Sequence, residues 1–431
     1  MLARTVAHFW PDLGRWLRAL ADTRDPTRTA YATAFLAWEG LAVFLLRLGS
    51  RRQVRFELAG AVALANLNRL SGCHQKTLAH GDTLNHFLGH VAPAEWERLR
   101  FQMVRRLIRM KVLEAGRLEG RYLVAVDGTG VWSFPERHCP HCLTRTVDGR
   151  THYYHPVLEA KLVTPDGLAF SIGSEFIENT PSDATKQDCE LKAFARLAAR
   201  LHEDFPQLRL CLLLDALYAN GTAFEICRRY RWAFIATFKE GSLPALWTEY
   251  EALRDQLPGN RRTETPTEEV RQTFAWVQDL PYTDAEGRAH RLAAFQCREE
   301  RPGRPGFFAW LTNLPVSSLT VAALGNRGGR VRWKIENEGF NNQKNGGFAL
   351  EHVYGAGLWQ LKNYYLLLQI AHLIVQLVER GNLLADRPSK LFGSLRAFAR
   401  RLTESFRGSL IPLEAVDAAL AARIQIRLSP S

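Results

Sequence analysis

The chain has 431 residues, 46% apolar and 23% charged, a composition that excludes a disordered, collagen-like or low-complexity protein and is long enough for two or three domains. Lys and Arg number 56 against 44 Asp and Glu, and the net charge of +12 favours an acidic partner, of which nucleic acid is the commonest. Seven cysteines spread thinly over the chain argue against a disulfide framework and for a reducing compartment.

In chain order, Arg4, His8 and Asp12 precede any apolar run, so no signal peptide is expected. Residues 1–118 read as helical: apolar side chains recur at three- and four-residue spacing through Phe35, Leu36, Leu41, Phe44 and Leu45, and again through Phe101, Val104, Leu107 and Ile108. The second segment carries Arg98, Arg100, Arg105, Arg106, Arg109 and Lys111. This is either a solvated helix face or a phosphate-contacting one, with Arg105, Arg106 and Arg109 as the DNA-binding candidates. The pattern changes at Tyr122, where a short apolar run ends in Asp127, followed by Gly-Thr-Gly: a buried strand that stops at a carboxylate. Lys186 to His202 reads as a helix, and Leu208 to Leu214 as a second buried strand delivering Asp215. Asn220 then caps a further helix, and Trp232 to Phe238 is another strand.

Residues 240–306 interrupt this rhythm with turn-rich and alternating stretches, and a mainly β insertion is expected there. Phe307 to Thr312 reads as a strand, helix resumes from Arg330, and residues 359–431 read as helical and basic around Arg396, Arg400 and Arg401. The apolar stretch Tyr364 to Val378 is interrupted by Gln369, His372 and Gln376, which suits a buried helix better than a bilayer span. A cytoplasmic protein with no membrane partner is the expectation. The organisation is α/β: a helical N-terminal region (1–118), a core (119–358) containing the insertion, and a helical C-terminal region (359–431).

Aspartates ending two separate buried strands are informative, because an ionised carboxylate there needs a cation or hydrogen bonds. Either one alone could merely cap the turn that follows. A third element adds to them: Arg332-Trp-Lys-Ile-Glu336, then Asn-Glu-Gly-Phe340-Asn-Asn-Gln-Lys344. This stretch resembles the Y-x2-R-x3-E-x6-K signature of bacterial insertion-sequence transposases of the IS-four type. Asp127-Gly-Thr129 is similar to that family's D-x-T, and Asp215-Ala-Leu-Tyr218 to its second aspartate motif. The carboxylates stand 88 and 121 residues apart, and the resemblance covers residues 120–360.

Two departures stand out. Gly329 occupies the tyrosine position, and Lys344 lies eight rather than seven residues after Glu336, the seventh being Gln343. Glu338 is therefore a rival third ligand. On an α-helix Arg332 lies within about 40° of Glu336 and Lys344 within about 80°, against about 120° for both from Glu338, which favours Glu336. The alternative for Arg332 and Glu336 is a plain i,i+4 surface ion pair.

The resemblance implies an RNase H-like catalytic core and Mg²⁺ (or Mn²⁺) held by Asp127, Asp215 and Glu336. It implies phosphate contacts from Arg332 and Lys344, and a homodimer acting on the terminal inverted repeats and target DNA of its own element, in a bacterial nucleoid. The competing readings are a metal-dependent nuclease without strand transfer and an inactive DNA-binding relic.

Two further features complete the list. Cys139-Pro-His-Cys142 followed by His152-Tyr-Tyr-His155 is a C-x2-C-x9-H-x2-H arrangement that would bind a structural Zn²⁺, the alternative being a bare His-rich loop. Trp310 is either a base-stacking residue or, on the better reading, a core residue. Asp183, Asp188 and Glu190 suit the positive end of a helix and receive no catalytic part.

Overall fold

The computed structural model describes residues 1–179, 187–421 and 426–428. The N-terminal region forms α1 (Leu2–Phe9), α2 (Leu13–Arg18), α3 (Thr33–Leu45), α4 (Gln53–Glu57), α5 (Ala61–Ser71), α6 (Gly81–Leu88) and α7 (Pro93–Arg109). On α3 every residue from Ala34 to Leu45 is buried, as expected of a helix apolar on all sides. On α7 the buried stripe is Trp96, Leu99, Arg100, Met103, Val104 and Leu107. Arg100 belongs to that stripe and only 3% of it is exposed, so it departs from the solvated or phosphate-facing run expected of its neighbours.

Next come β1 (Tyr122–Phe134), β2 (Leu143–Val147), β3 (Arg150–Val163), β4 (Ala169–Phe176), α8 (Glu190–Asp204), β5 (Leu210–Leu214), α9 (Gly221–Tyr230) and β6 (Ala233–Thr237). The expected start of α8 at Lys186, and Asp183 with it, lie outside the described residues. The insertion contributes α10 (Pro244–Gln256), β7 (Arg261–Thr267), β8 (Val270–Thr283) and β9 (Ala289–Glu300), followed by β10 (Gly306–Thr312). All ten strands form one mixed sheet in the order β2-β3-β1-β5-β6-β10-β9-β8-β7, with β4 on β3. β3 runs antiparallel to β1 and β4, whereas β5 and β6 continue parallel to β1. The insertion is no separate body: β10 pairs antiparallel with β6 and carries β9, β8 and β7 outward from it.

Beyond β10 the chain winds through α11 (Val321–Ala323), a π-helical turn (Leu324–Gly328), a 3-10 turn (Gly329–Arg332), a second π-helical stretch (Ile335–Asn341) and α12 (Asn342–Asn345). The helices α13 (Leu358–Arg380), α14 (Pro388–Phe392), α15 (Leu395–Gly408) and α16 (Leu413–Leu420) follow. By length and apolarity α13 would pass for a membrane span, yet Tyr364 to Val378 are all buried between α3, α7 and the sheet. Its three polar interruptions face inward and are used. Gln376 pairs with both the N–H and the C=O of Ala169 on β4, at 2.7 and 3.0 Å. Gln369 accepts from Lys161 on β3 at 2.6 Å, and His372 contacts Gln343 at 3.0 Å. Buried polar groups favour being satisfied, and Gln376 and Gln369 tie α13 to the sheet while His372 ties it to α12.

Candidate functional site

Parallel pairing of β1 with β5 reaches Ala125 opposite Leu213, so Asp127 and Asp215 stand level just beyond it. β1 does not stop at Asp127, as the sequence suggested, but runs on to Phe134 paired with β3, so Asp127 is a mid-strand residue while Asp215 follows the end of β5. Asp127 accepts from the Gly128 N–H at 3.0 Å. Asp215 accepts from the Leu217 N–H at 2.9 Å and thus caps the following turn, as Asn220 caps α9 through the Ala223 N–H at 3.0 Å. Arg332 brings its guanidinium within 3.6 Å of Asp127. Burial raises the Asp127 carboxyl to about 6; Arg332 opposes the rise, and the charges of Asp215, Glu336 and Glu190 add to it. Carboxylates from four segments therefore share one field, with a single guanidinium among the groups that act on Asp127.

Glu190 is the member that sequence reasoning missed. It is the first residue of α8, where a carboxylate suits the helix dipole, and that explanation is sufficient by itself. The structure instead turns it to the site. Its Oε2 accepts from the Tyr218 hydroxyl at 3.4 Å, and burial together with Asp215 raises its carboxyl. A Cβ at position 128 would meet the Glu190 carboxylate, so Glu190 is an immediate neighbour of Asp127's position on the strand.

Glu338 points elsewhere, to Lys334 at 3.3 Å and toward the turn at Gly167. The 100°-per-residue reasoning that favoured Glu336 does not describe this segment, which is 3-10 and then π-helical. Close approach sets its path: Gly339 leaves room for the Lys161 side chain, and a Cβ at Gly329 would run into the Trp310 indole. Where the transposase signature has tyrosine, the space is filled by Trp310, which is 3% exposed and stacked on Phe295 and Phe308. Trp310 is thus a core residue, as its better reading had it.

The lysine position is also refilled. Gln343, seven residues after Glu336, is fully buried and bonded to Gln369 and His372. Lys344 is ion-paired with Glu351 at 3.0 Å. Among the arginines of α7, Arg105 and Arg109 are exposed, whereas the half-buried Arg106 donates to the Phe9 carbonyl at 2.5 Å. Arg100 donates to Ser171 and Ser174 at 2.8 and 2.6 Å inside the fold.

A second cluster lies beyond the distal end of β1. The ligand atoms of His138, Cys139, Cys142 and His155 all lie within 4.8 Å of one another. His152 is not among them, which corrects the ligand set expected from sequence. His152 and His155 lie on one continuous strand, β3, and residues three apart on a strand face opposite sides of the sheet. His155 faces the cysteines, and His138, adjacent to Cys139 in sequence, takes the place assigned to His152.

Comparison of the chain with protein-family models and with curated proteins gives no match.

Proposed function

We propose that this chain is a DNA transposase of the insertion-sequence type, with an RNase H-like core that nicks and joins DNA ends at Asp127, Asp215 and Glu336. The observation that carries the reading is the common field of these carboxylates, drawn from β1, β5 and the π-helical segment. The antiparallel run β4-β3-β1, continued by β5 and β6 parallel to β1, is the strand arrangement an RNase H-like core requires, and it supports the same reading.

The donors fit a hard divalent cation. They are carboxylate oxygens, and the Asp127 carboxyl is raised first by burial and then by the neighbouring carboxylates, a charge burden that a cation would relieve. Asp127, Asp215 and Glu336 would hold Mg²⁺ or Mn²⁺, with Glu190 as a fourth carboxylate beside them. Bound there, such ions supply Lewis-acid activation of the attacking oxygen and stabilisation of the leaving one. The chain's own part is positioning. The register of β1 on β5 fixes Asp127 and Asp215 level with one another, Tyr218 holds Glu190, and Arg332 presents a guanidinium able to bond a phosphate of the strand being cut. Lys344, paired with Glu351 beside the buried Gln343, would reach a phosphate only by leaving that partner.

The test is incubation of the full chain with labelled duplexes carrying the sequences that border its gene, in Mg²⁺. Joined products support transposition. Nicks without joining would make it a nuclease, and a mobility shift without cutting would make it a relic; either result overturns the proposal.

DNA affinity in this reading rests partly on the exposed face of α7. Replacing Arg105 and Arg109 with Ala should weaken duplex binding and flatten its salt dependence, by up to about 0.9 in log–log slope per lost phosphate contact. Arg106→Ala should act differently, destabilising the fold by about 1.5–3 kcal/mol because it removes a charged donor from the Phe9 carbonyl. Binding titrations at several salt concentrations, set beside denaturation curves, separate the two effects. Equal salt slopes for wild type and the double variant would remove α7 from the DNA interface.

A further inference from the structure

We propose that His138, Cys139, Cys142 and His155 form a closed, structural zinc site that clamps the loop after β1 onto β3. The case rests on this cluster's own geometry and is independent of the function proposed above.

Three of the four vertices already have the dimensions of a metal tetrahedron. The Cys139 and Cys142 sulfurs are 3.7 Å apart, and each lies 3.3 Å from His155 Nε2. Zinc–sulfur bonds of about 2.3 Å and zinc–nitrogen bonds of about 2.0–2.1 Å, directed tetrahedrally, place sulfurs ~3.8 Å apart and sulfur and nitrogen ~3.5 Å apart. Any longer separation within the 4.8 Å limit belongs to His138. Its Nδ1 is buried without a hydrogen-bond partner, and Phe134 stacks on the ring at 4.4 Å. Two thiols and two imidazoles form a soft, four-donor set that selects zinc over Mg²⁺ or Ca²⁺. No fifth group or open position is needed, which is the pattern of a structural rather than a catalytic zinc.

The turn itself is built to hold the ligands. The Cys142 N–H donates to the Cys139 carbonyl at 3.4 Å, closing the Cys-Pro-His-Cys knuckle. Asn179 braces it from outside, donating from its side chain to the Cys142 carbonyl at 3.0 Å and accepting from the His141 ring at 3.0 Å. The Asn179 side-chain oxygen also accepts from the Asp188 N–H at 3.1 Å, two residues before Glu190. A metal at the knuckle would therefore steady the entry to α8 as well as the far end of β1.

The experiment is metal analysis of the purified full chain, followed by cobalt substitution. About one zinc per chain is expected, released when the thiols are blocked with an organomercurial. Cobalt in its place should show tetrahedral d–d bands with a thiolate charge-transfer band, a signature that carboxylate sites such as Asp127 cannot give. Cys142→Ser and His138→Gln should lose the zinc, whereas His152→Gln should keep it. Folded wild-type protein with neither zinc nor a cobalt–thiolate band would overturn the proposal. So would loss of zinc on His152→Gln with retention on His138→Gln, or a thiol count showing Cys139 and Cys142 oxidised to a disulfide. Organomercurial release is read on the wild type, so the proposal stays testable if a ligand variant fails to fold.

Discussion

Asp127→Asn should abolish DNA cleavage and joining, slowing the reaction by at least about a thousandfold, or ~4 kcal/mol of transition-state stabilisation, while leaving duplex affinity intact. The substitution keeps the shape and the oxygen that accepts from Gly128, so the local backbone of β1 is retained. It removes one charge from a site where Asp215, Glu336 and Glu190 already act against the ionised form of Asp127, and with it part of what draws a cation in. Two readouts besides activity follow. Without divalent metal the variant should melt no lower than wild type, because a crowded carboxylate has been neutralised. Added Mn²⁺ should raise the melting temperature of wild type more than that of the variant, since only a native state that binds the ion gains from it. Glu338→Gln is the control and should cut at the wild-type rate, its carboxylate being committed to Lys334. Glu190→Gln tests the fourth carboxylate and should fall between the two. Element ends nicked by Asp127→Asn at the wild-type rate in Mg²⁺ would sink the assignment.

How much of this was legible in the sequence depends on whether the signal was local. The strands that deliver Asp127 and Asp215 were readable because a buried strand must be an unbroken apolar run, and the first carboxylate after it stands out. That β1 continues past Asp127 to Phe134 was not, because its pairing there is with the distant β3. The burial of α13 was readable from its three polar interruptions, although their partners on β3, β4 and α12 were not. Strand content in the insertion could be read, but its pairing onto β6 joins segments about seventy residues apart, and register between distant strands leaves no local mark.

Three departures came from applying a valid rule at the wrong level. Arg100 was grouped with its basic neighbours by composition, yet it lies four residues from both Trp96 and Val104, on the apolar stripe of α7. Periodicity would have placed it inside. His152 and His155 were paired by proximity in sequence to the two cysteines, whereas the alternation along β3 forbids both from facing one ion. Glu190 had an adequate local explanation as a helix-start carboxylate, and nothing local in the sequence marked it as a neighbour of Asp127. In each case the site was fixed by which face of an element looks inward, and a spacing alone does not carry that.

A buried carboxylate far from any catalytic role gives the other large expectation. Glu39, fully buried on α3, accepts from the Ala79 N–H at 3.0 Å through one oxygen, while its second oxygen has no partner. Burial lifts its carboxyl to about 8, opposed only by the Ala79 bond. The folded value lies above the unfolded one, so the native state holds a proton that the unfolded chain releases from about pH 4.5 upward. The contribution to stability is then fully present below that pH and is lost as pH rises through about 8, at up to ~1.4 kcal/mol per pH unit. Glu39→Gln keeps an acceptor for Ala79 and cannot ionise. It should match wild type near pH 4, exceed it by about 3 kcal/mol at pH 7, and by as much as ~5 kcal/mol above pH 8. Chemical denaturation of both proteins across this range measures the difference, in which every other titrating group cancels. If the gap between the two curves does not widen with pH, Glu39 is ionised in the folded chain, and its second oxygen must have found a donor.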